Sequence, residues 1–217
     1  MTKASAGELA GKVALVTGGG SGIGHAIATA FAQEGARVII AGRDATRLER
    51  AAAAIGAHAA AADVSVEDDV ARLMPEIENH FGGLDILVNN AGVTGPVSRA
   101  EDMDMARWDE TIAINVRGVL LCIKHAAPLI KRRGGGSIIN MSSLMGLRGY
   151  PMRSAYTATK FAVLGITEAV AQELGVDRIR VNALCPGAVS GELMERVIAA
   201  RAQAENRSRE EIIKTNY

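Results

Sequence analysis

Residues 12–24 constrain the fold of this chain more than any other stretch. Lys12-Val13-Ala14-Leu15-Val16-Thr17 is a short, nearly unbroken apolar run, the pattern of a strand buried on both faces of a parallel sheet. Thr17-Gly18-Gly19-Gly20-Ser21-Gly22-Ile23-Gly24 follows at once, then a helical pattern from His25 to Ala32. Strand, glycine loop and helix in that order form a cradle for phosphate. Glycines let the backbone turn tightly and approach a pyrophosphate, and the helix N-terminus offers free N–H groups and the positive end of its dipole. The competing reading is an ordinary glycine-rich turn; the strand-to-helix context favours the nucleotide.

The alternation continues. Residues 37–41, 57–62, 84–88, 138–141 and 179–184 are apolar or small-residue runs that read as strands. Helical patterns lie at 67–80, with Pro75 a candidate kink, at 106–131, around 156–171 and at 192–204. The chain has 217 residues, 48% of them apolar, which is material for one sizeable domain with a large core. Strands alternating with helices imply an α/β fold, a doubly wound parallel sheet with helices on both faces.

The strand ends carry the polar signals. In a dinucleotide fold the end of the second strand reads the adenosine ribose: an acid accepts from the 2′-hydroxyl, whereas an arginine accommodates a 2′-phosphate. Here Gly42 stands where the acid would be and Arg43 follows, which favours NADP(H), with NAD(H) the alternative. A solvated Arg43 is the bland reading. Asp44 reads as a helix cap. Asp63, after the third strand, suits an adenine amino group or a loop cap, and His58 reads as structural. Asn89 and Asn90 can bridge strands through their amides, while the small Ala91 and Gly92 let a flat ligand lie against the backbone. Asn115 sits unfavourably inside a helical pattern, either as a surface accident or as the holder of a bonded water.

A second cluster carries the chemistry. Tyr156 and Lys160 are four residues apart, so on a helix they share a face. A lysine ammonium beside a phenol favours the phenolate and lowers its pKa from about 10, giving a group able to exchange a proton with a substrate oxygen. Ser143 follows the run 138–141, so its hydroxyl belongs at a strand's carboxyl end, where open α/β sheets bind ligands. Taken alone, a Tyr-x-x-x-Lys pair reads as an exposed helix contact; the surrounding motifs favour the site. Met145, Leu147, Arg148, Tyr150 and Met152 border the expected substrate pocket. Arg148 and Arg153 would attract an anionic substrate, although solvated arginines are the commoner case.

Lysine plus arginine and aspartate plus glutamate number 24 each, a zero net charge that gives no support to nucleic acid or an anionic membrane as partner. Cys122 and Cys185 lie in apolar surroundings without metal-ligand spacing and read as buried free thiols, so no metal is expected. The first residues lack the apolar core of a signal peptide, and no apolar run approaches membrane-span length, so a cytoplasmic protein is expected.

Thr17-Gly18-x-x-x-Gly22-x-Gly24, Asn89-Asn90-Ala91-Gly92, Asn115, Ser143, Tyr156-x-x-x-Lys160 and Pro186-Gly187, in that order, resemble the short-chain dehydrogenase/reductase family over nearly the whole chain. The resemblance implies a Rossmann-like single domain over 1–217 and a catalytic set of Asn115, Ser143, Tyr156 and Lys160. Tyr156 would be the acid/base, Ser143 would polarise the substrate oxygen, Lys160 would hold the nicotinamide ribose, and Asn115 would support a relay water. Gly18, Ser21, Gly22, Ile23, Gly24, Arg43, Asp63, Val64, Asn89, Ala91, Gly92, Pro186, Gly187 and Val189 would line the cofactor with Tyr156 and Lys160. Ser143, Met145, Tyr150 and Tyr156 would meet a small carbonyl or alcohol substrate. A homo-oligomer, dimer or tetramer, is implied too. A non-catalytic dinucleotide-binding sensor or scaffold on the same fold is the alternative. Two departures stand out. Gly191 occupies the family's usual threonine position, with Ser190 a candidate substitute. The family's seventh strand has no counterpart after 184, which implies that the C-terminal part of the domain is missing. Residues 207–217 then read as part of a flexible segment over the substrate.

Overall fold

The apolar side chains of the first strand, β1 Val13–Thr17, are fully buried and alternate between two cores: Val13 and Leu15 enter one, Ala14 and Val16 the other. The computed structural model describes residues 7–216. With β2 Arg37–Gly42, β3 His58–Ala61, β4 Ile86–Asn89, β5 Gly136–Met141 and β6 Ile179–Leu184, β1 forms one parallel sheet in the order β3-β2-β1-β4-β5-β6. Helices α1 Gly22–Gln33 and α2 Ala45–Ile55 cover one face; α3 Glu67–Phe81, α5 Gly118–Arg132 and α6 Ser154–Leu174 cover the other. The central strands β1 and β4 are buried on both sides because both faces carry helices, which is why they read as apolar runs and not as alternating ones. The strand order reverses between β1 and β4, and at such a switch point the two loops diverge and leave a crevice at the carboxyl ends. The expected doubly wound α/β fold is the one observed.

The amino end of the sheet is fastened by one carboxylate. Asp85 is 5% exposed. Its Oδ2 accepts from the Val13 N–H at 2.9 Å and from Arg133 Nη2 at 3.1 Å, and Lys12 Nζ lies 3.6 Å from Oδ1. Asp85 therefore ties the entry of β1 to that of β4 and to the turn before β5.

Several expectations change. The helix expected at 106–131 is α4 Met105–Ile112 followed by a π-helical turn, Ala113–Arg117, that leads straight into α5. The combined helix Met105–Arg132 is long and apolar enough to cross a bilayer, contrary to the expectation that no such run exists. Its apolar residues have another use here, since 56% of its most apolar window is buried, with Val119, Cys122, Ile123, Ala126 and Ile130 in the core. α3 runs through Pro75. In β6, Ile179 and Val181 are buried while Arg180 and Leu184 are exposed, so only one face is covered. Residues 207–217 were expected to be a flexible segment. Instead, α8 Arg209–Asn216 packs on α7 Glu192–Glu205, with Ile212 fully buried and Arg207 donating to Thr215 Oγ1 at 3.1 Å. His58 is structural, as expected, with Nε2 3.1 Å from Glu76 Oε1.

Candidate functional site

At the switch point, Thr17 and Asn90 lock the ends of β1 and β4. Thr17 Oγ1 accepts from the N–H groups of Asn90 and Ala91, both at 3.0 Å, and donates to Val88 O at 3.3 Å. Asn90 Nδ2 donates to Thr17 O at 2.9 Å and Gly18 O at 3.3 Å. Two glycines here serve packing. A Cβ on Gly18 would come 2.9 Å from Ala91 Cα, and one on Gly24 would come 2.4 Å from both Gly18 O and Asn90 Nδ2. Gly22 is different: its φ is +54°, and a Cβ there would meet nothing within 4 Å. Ser21 caps α1 by position but makes no side-chain capping bond. The first turn of α1 thus presents its N–H groups to open space, and the cradle fits a pyrophosphate. Gly24→Ala is expected to force α1 off the loop, raising the Kd for nicotinamide dinucleotides at least tenfold by calorimetry. Unchanged binding would show that the loop absorbs the methyl.

The adenosine end is only partly as expected. Arg43 is exposed, and its Nη1 lies 3.8 Å from Asp63 Oδ2. Asp63 Oδ1 accepts from Ser65 N at 2.9 Å and Ser65 Oγ at 2.7 Å, so it caps its loop. Asp44 caps α2 through Arg47 N at 3.0 Å. The Val64 side chain is buried against Gly118, and the Asn89 side chain is 3% exposed and donates to Asn140 Oδ1 at 2.9 Å, stitching β4 to β5. Both residues were expected at the cofactor; these two side chains turn into the packed layers, and strand-end position alone does not reveal that. Conversely, His25, Arg47 and Arg50 line an open cavity with Gly20 and Asp44. A residue one and two turns into α2 gives no sequence signal beyond helical phase.

The chemical end forms around α6. Ser143 follows β5 in an extended conformation; its Oγ accepts from Met145 N at 3.2 Å, and its hydroxyl lies close enough to the Tyr156 phenol to favour the phenolate. Lys160, 6% exposed, donates from Nζ to Met141 O at 2.7 Å and stands 5.4 Å from the Tyr156 ring centroid. Burial pulls its pKa down to about 8, with the nearby Cys185 thiol opposing. Burial also pushes the Tyr156 pKa up, and the Arg153 charge and the Ser143 hydrogen bond offset this only in part. The expected lowering by Lys160 is therefore not what the protein alone produces: desolvation wins. Cys122 is buried as expected, its thiol pushed up to about 12 by burial, but Cys185 is partly exposed and belongs to the site.

Asn115 lies in the π-helical turn and is 1% exposed. Its Oδ1 accepts from Val93 N and its Nδ2 donates to Val93 O, each at 2.8 Å; Nδ2 also reaches Thr159 Oγ1 at 3.2 Å. Thr159 in turn donates to Tyr156 O at 2.7 Å. The surface-accident reading fails. The side chain is engaged by protein groups and holds the 93 loop against the helix of Tyr156. Tyr150 OH accepts from Arg148 Nε and Nη2 at 3.0 and 2.6 Å. Arg153 is not solvated as expected: it is 2% exposed, with Cζ 5.0 Å from the Tyr156 ring centroid. Pro186 O accepts from Leu144 N at 3.0 Å, which brings Pro186 and Gly187 beside the Ser143 loop, whereas Val189, Ser190 and Gly191 are exposed.

A family model described as short chain dehydrogenase matches residues 12–202. (+)-Borneol dehydrogenase 2 of Salvia officinalis is 44% identical over 191 residues, covering 86% of this chain and 68% of that protein. The crystal structure of levodione reductase superposes with a TM-score of 0.90 at 34% identity, over 96% of this chain and 84% of that one. The 3-ketoacyl-(acyl-carrier-protein) reductase of Brucella melitensis, solved with NADH, gives 0.84 at 41% identity, over 87% and 80%.

Proposed function

This chain belongs to the short chain dehydrogenase family, and from that premise we propose that it moves a hydride reversibly between NADP(H) and the carbon of a ketone or secondary alcohol, with Tyr156 exchanging the proton. The observation that carries this reading is the convergence of Ser143, Tyr156 and Lys160 at the end of β5, beside the open cradle of β1 and α1. When bound, the nicotinamide supplies or accepts the hydride. The chain's own residues do the rest. Gly22 and the α1 N-terminus hold the pyrophosphate, and Arg43 turns from Asp63 toward the 2′-phosphate. In the reducing direction Tyr156 gives its proton to the carbonyl oxygen while the Ser143 hydroxyl polarises it. Burial keeps the phenol protonated at neutral pH, which is the state a donor needs. Asn115, through Thr159, fixes the backbone from which Tyr156 projects.

Following NADPH absorbance with a panel of ketones tests the reading. Tight NADPH binding with no oxidation across the panel would favour a dinucleotide-binding sensor or scaffold instead. For the cofactor itself, NADP(H) is expected to bind more tightly than NAD(H), and Arg43→Ala to weaken NADP(H) alone. The side chain is 59% exposed, so the loss is about 1 kcal/mol, roughly fivefold in Kd. Tighter binding of NAD(H) by the wild type would refute the assignment.

A further inference from the structure

We propose that Arg153 is a positioning residue for Tyr156: its buried guanidinium lies over the ring of the proton-exchanging tyrosine, orients the phenol and favours loss of its proton. The inference rests on the reading of Tyr156 as acid/base. Arg153 immediately precedes α6 and lies three residues before Tyr156, one helical turn away on the same face. Its main chain is built into the turn: its N–H donates to Tyr150 O at 3.2 Å and its carbonyl accepts from Thr157 N at 2.8 Å. Among the described residues it is the largest of the fully buried side chains. Burying a guanidinium is costly, and arginine cannot escape the cost by shedding its proton. The charge is therefore present at every working pH. At 5.0 Å from the ring centroid it is within cation–π reach, and it favours phenolate over phenol.

Lys160 is poorly suited to this task by itself. Its ammonium is committed to Met141 O and stands farther from the ring than the guanidinium. Its pKa, drawn to about 8, also lets it lose charge within the working range. Among the described residues, the groups that act on or beside the Tyr156 phenol are Arg153 just before its helix, Lys160 on the helix, the Ser143 hydroxyl after β5, and Cys185 after β6, which acts on Lys160. The π-helical turn packed on α6 brings the neutral Asn115, which bonds Thr159 of α6. Of these, Arg153 supplies the charge that acts on the phenol.

The test reads the phenol directly, so it does not depend on finding a substrate. The ultraviolet titration of tyrosinate is measured in the full chain, and Tyr156→Phe identifies the Tyr156 component among the three tyrosines. In Arg153→Met the Tyr156 midpoint is expected to rise by about one pH unit, a tenfold drop in phenolate at a given pH. Should Arg153→Met not fold, Arg153→His folds with its charge at about pH 6 and sheds it above its usual titration near 6.5, giving the same readout. An unmoved midpoint in the neutral variant overturns the proposal. So does an unmoved midpoint with a raised KM confined to anionic ketones, which would make Arg153 a substrate anchor. A Tyr156 signal that shifts while Tyr156→Phe remains active would keep the Arg153–Tyr156 coupling and reject the acid/base reading.

Discussion

Tyr156→Phe is expected to lower turnover by ~10²–10⁴-fold while leaving dinucleotide affinity near that of the wild type. Only the hydroxyl is lost. The ring stays beneath Arg153 and beside Lys160, and Thr159 still donates to the main-chain carbonyl of residue 156, so the groove keeps its shape. What disappears is the proton that must reach the substrate oxygen as the hydride moves. Steady-state kinetics on a ketone found in the panel, paired with calorimetric titration of NADPH, separates the two effects. Wild-type turnover in the variant would remove Tyr156 from the chemistry. Lost dinucleotide binding would show that the hydroxyl is structural.

Asp85→Ala is expected to cost ~2–3 kcal/mol of stability with the site unaltered, because it leaves the buried Val13 N–H without a partner at the opposite end of the sheet. Lys12 and Arg133 are 52% and 35% exposed, so the charge attraction is screened and the N–H bond is the larger part. Burial raises the Asp85 pKa, but the Val13 N–H, Arg133 and Lys12 together outweigh it, and the net shift is downward. A carboxyl depressed in the folded state contributes fully above its unfolded value of about 3.9, and the contribution fades as pH falls through the lower folded value. Urea unfolding at pH 7 should therefore separate wild type and variant, and the gap should narrow in strong acid to the part that the protonated carboxyl keeps by accepting the Val13 N–H. A gap of the same size at pH 7 and below pH 2 would show that the Asp85 charge contributes nothing.

Much of this architecture is legible in the sequence because its signals are local. The apolar run 12–17, the glycines after it and the helical pattern from His25 identify β1, its loop and α1 through covalent neighbours alone. Tyr156 and Lys160 share a face through helical spacing alone. The failures are of another kind. Arg153 and Arg148 look alike in sequence, yet one is buried and the other exposed, and that difference arises only when α6 docks. Val64 and Asn89 both follow or end strands, as cofactor ligands do, but which way a side chain points at a strand end depends on the neighbouring layer. Asp85 is a lone acid in an apolar run, and its partners Val13 and Arg133 lie far away along the chain. Glycines 18 and 24 were legible as necessary, but not as necessary for contact with Asn90 and Ala91 rather than with a ligand.

The π-helical turn at Ala113–Arg117 acts as a phase shifter. One extra residue in a helix of 3.6 residues per turn rotates everything beyond it by roughly 100°. The rod from Met105 to Arg132 therefore has two bearings: α4 faces α6, while α5 faces α3 and strands β4 and β5. A helical wheel drawn through all 28 residues smears these two stripes into one broad apolar belt. Asn115 sits at the seam, where a polar group can be turned inward toward Val93 and Thr159 without interrupting either stripe.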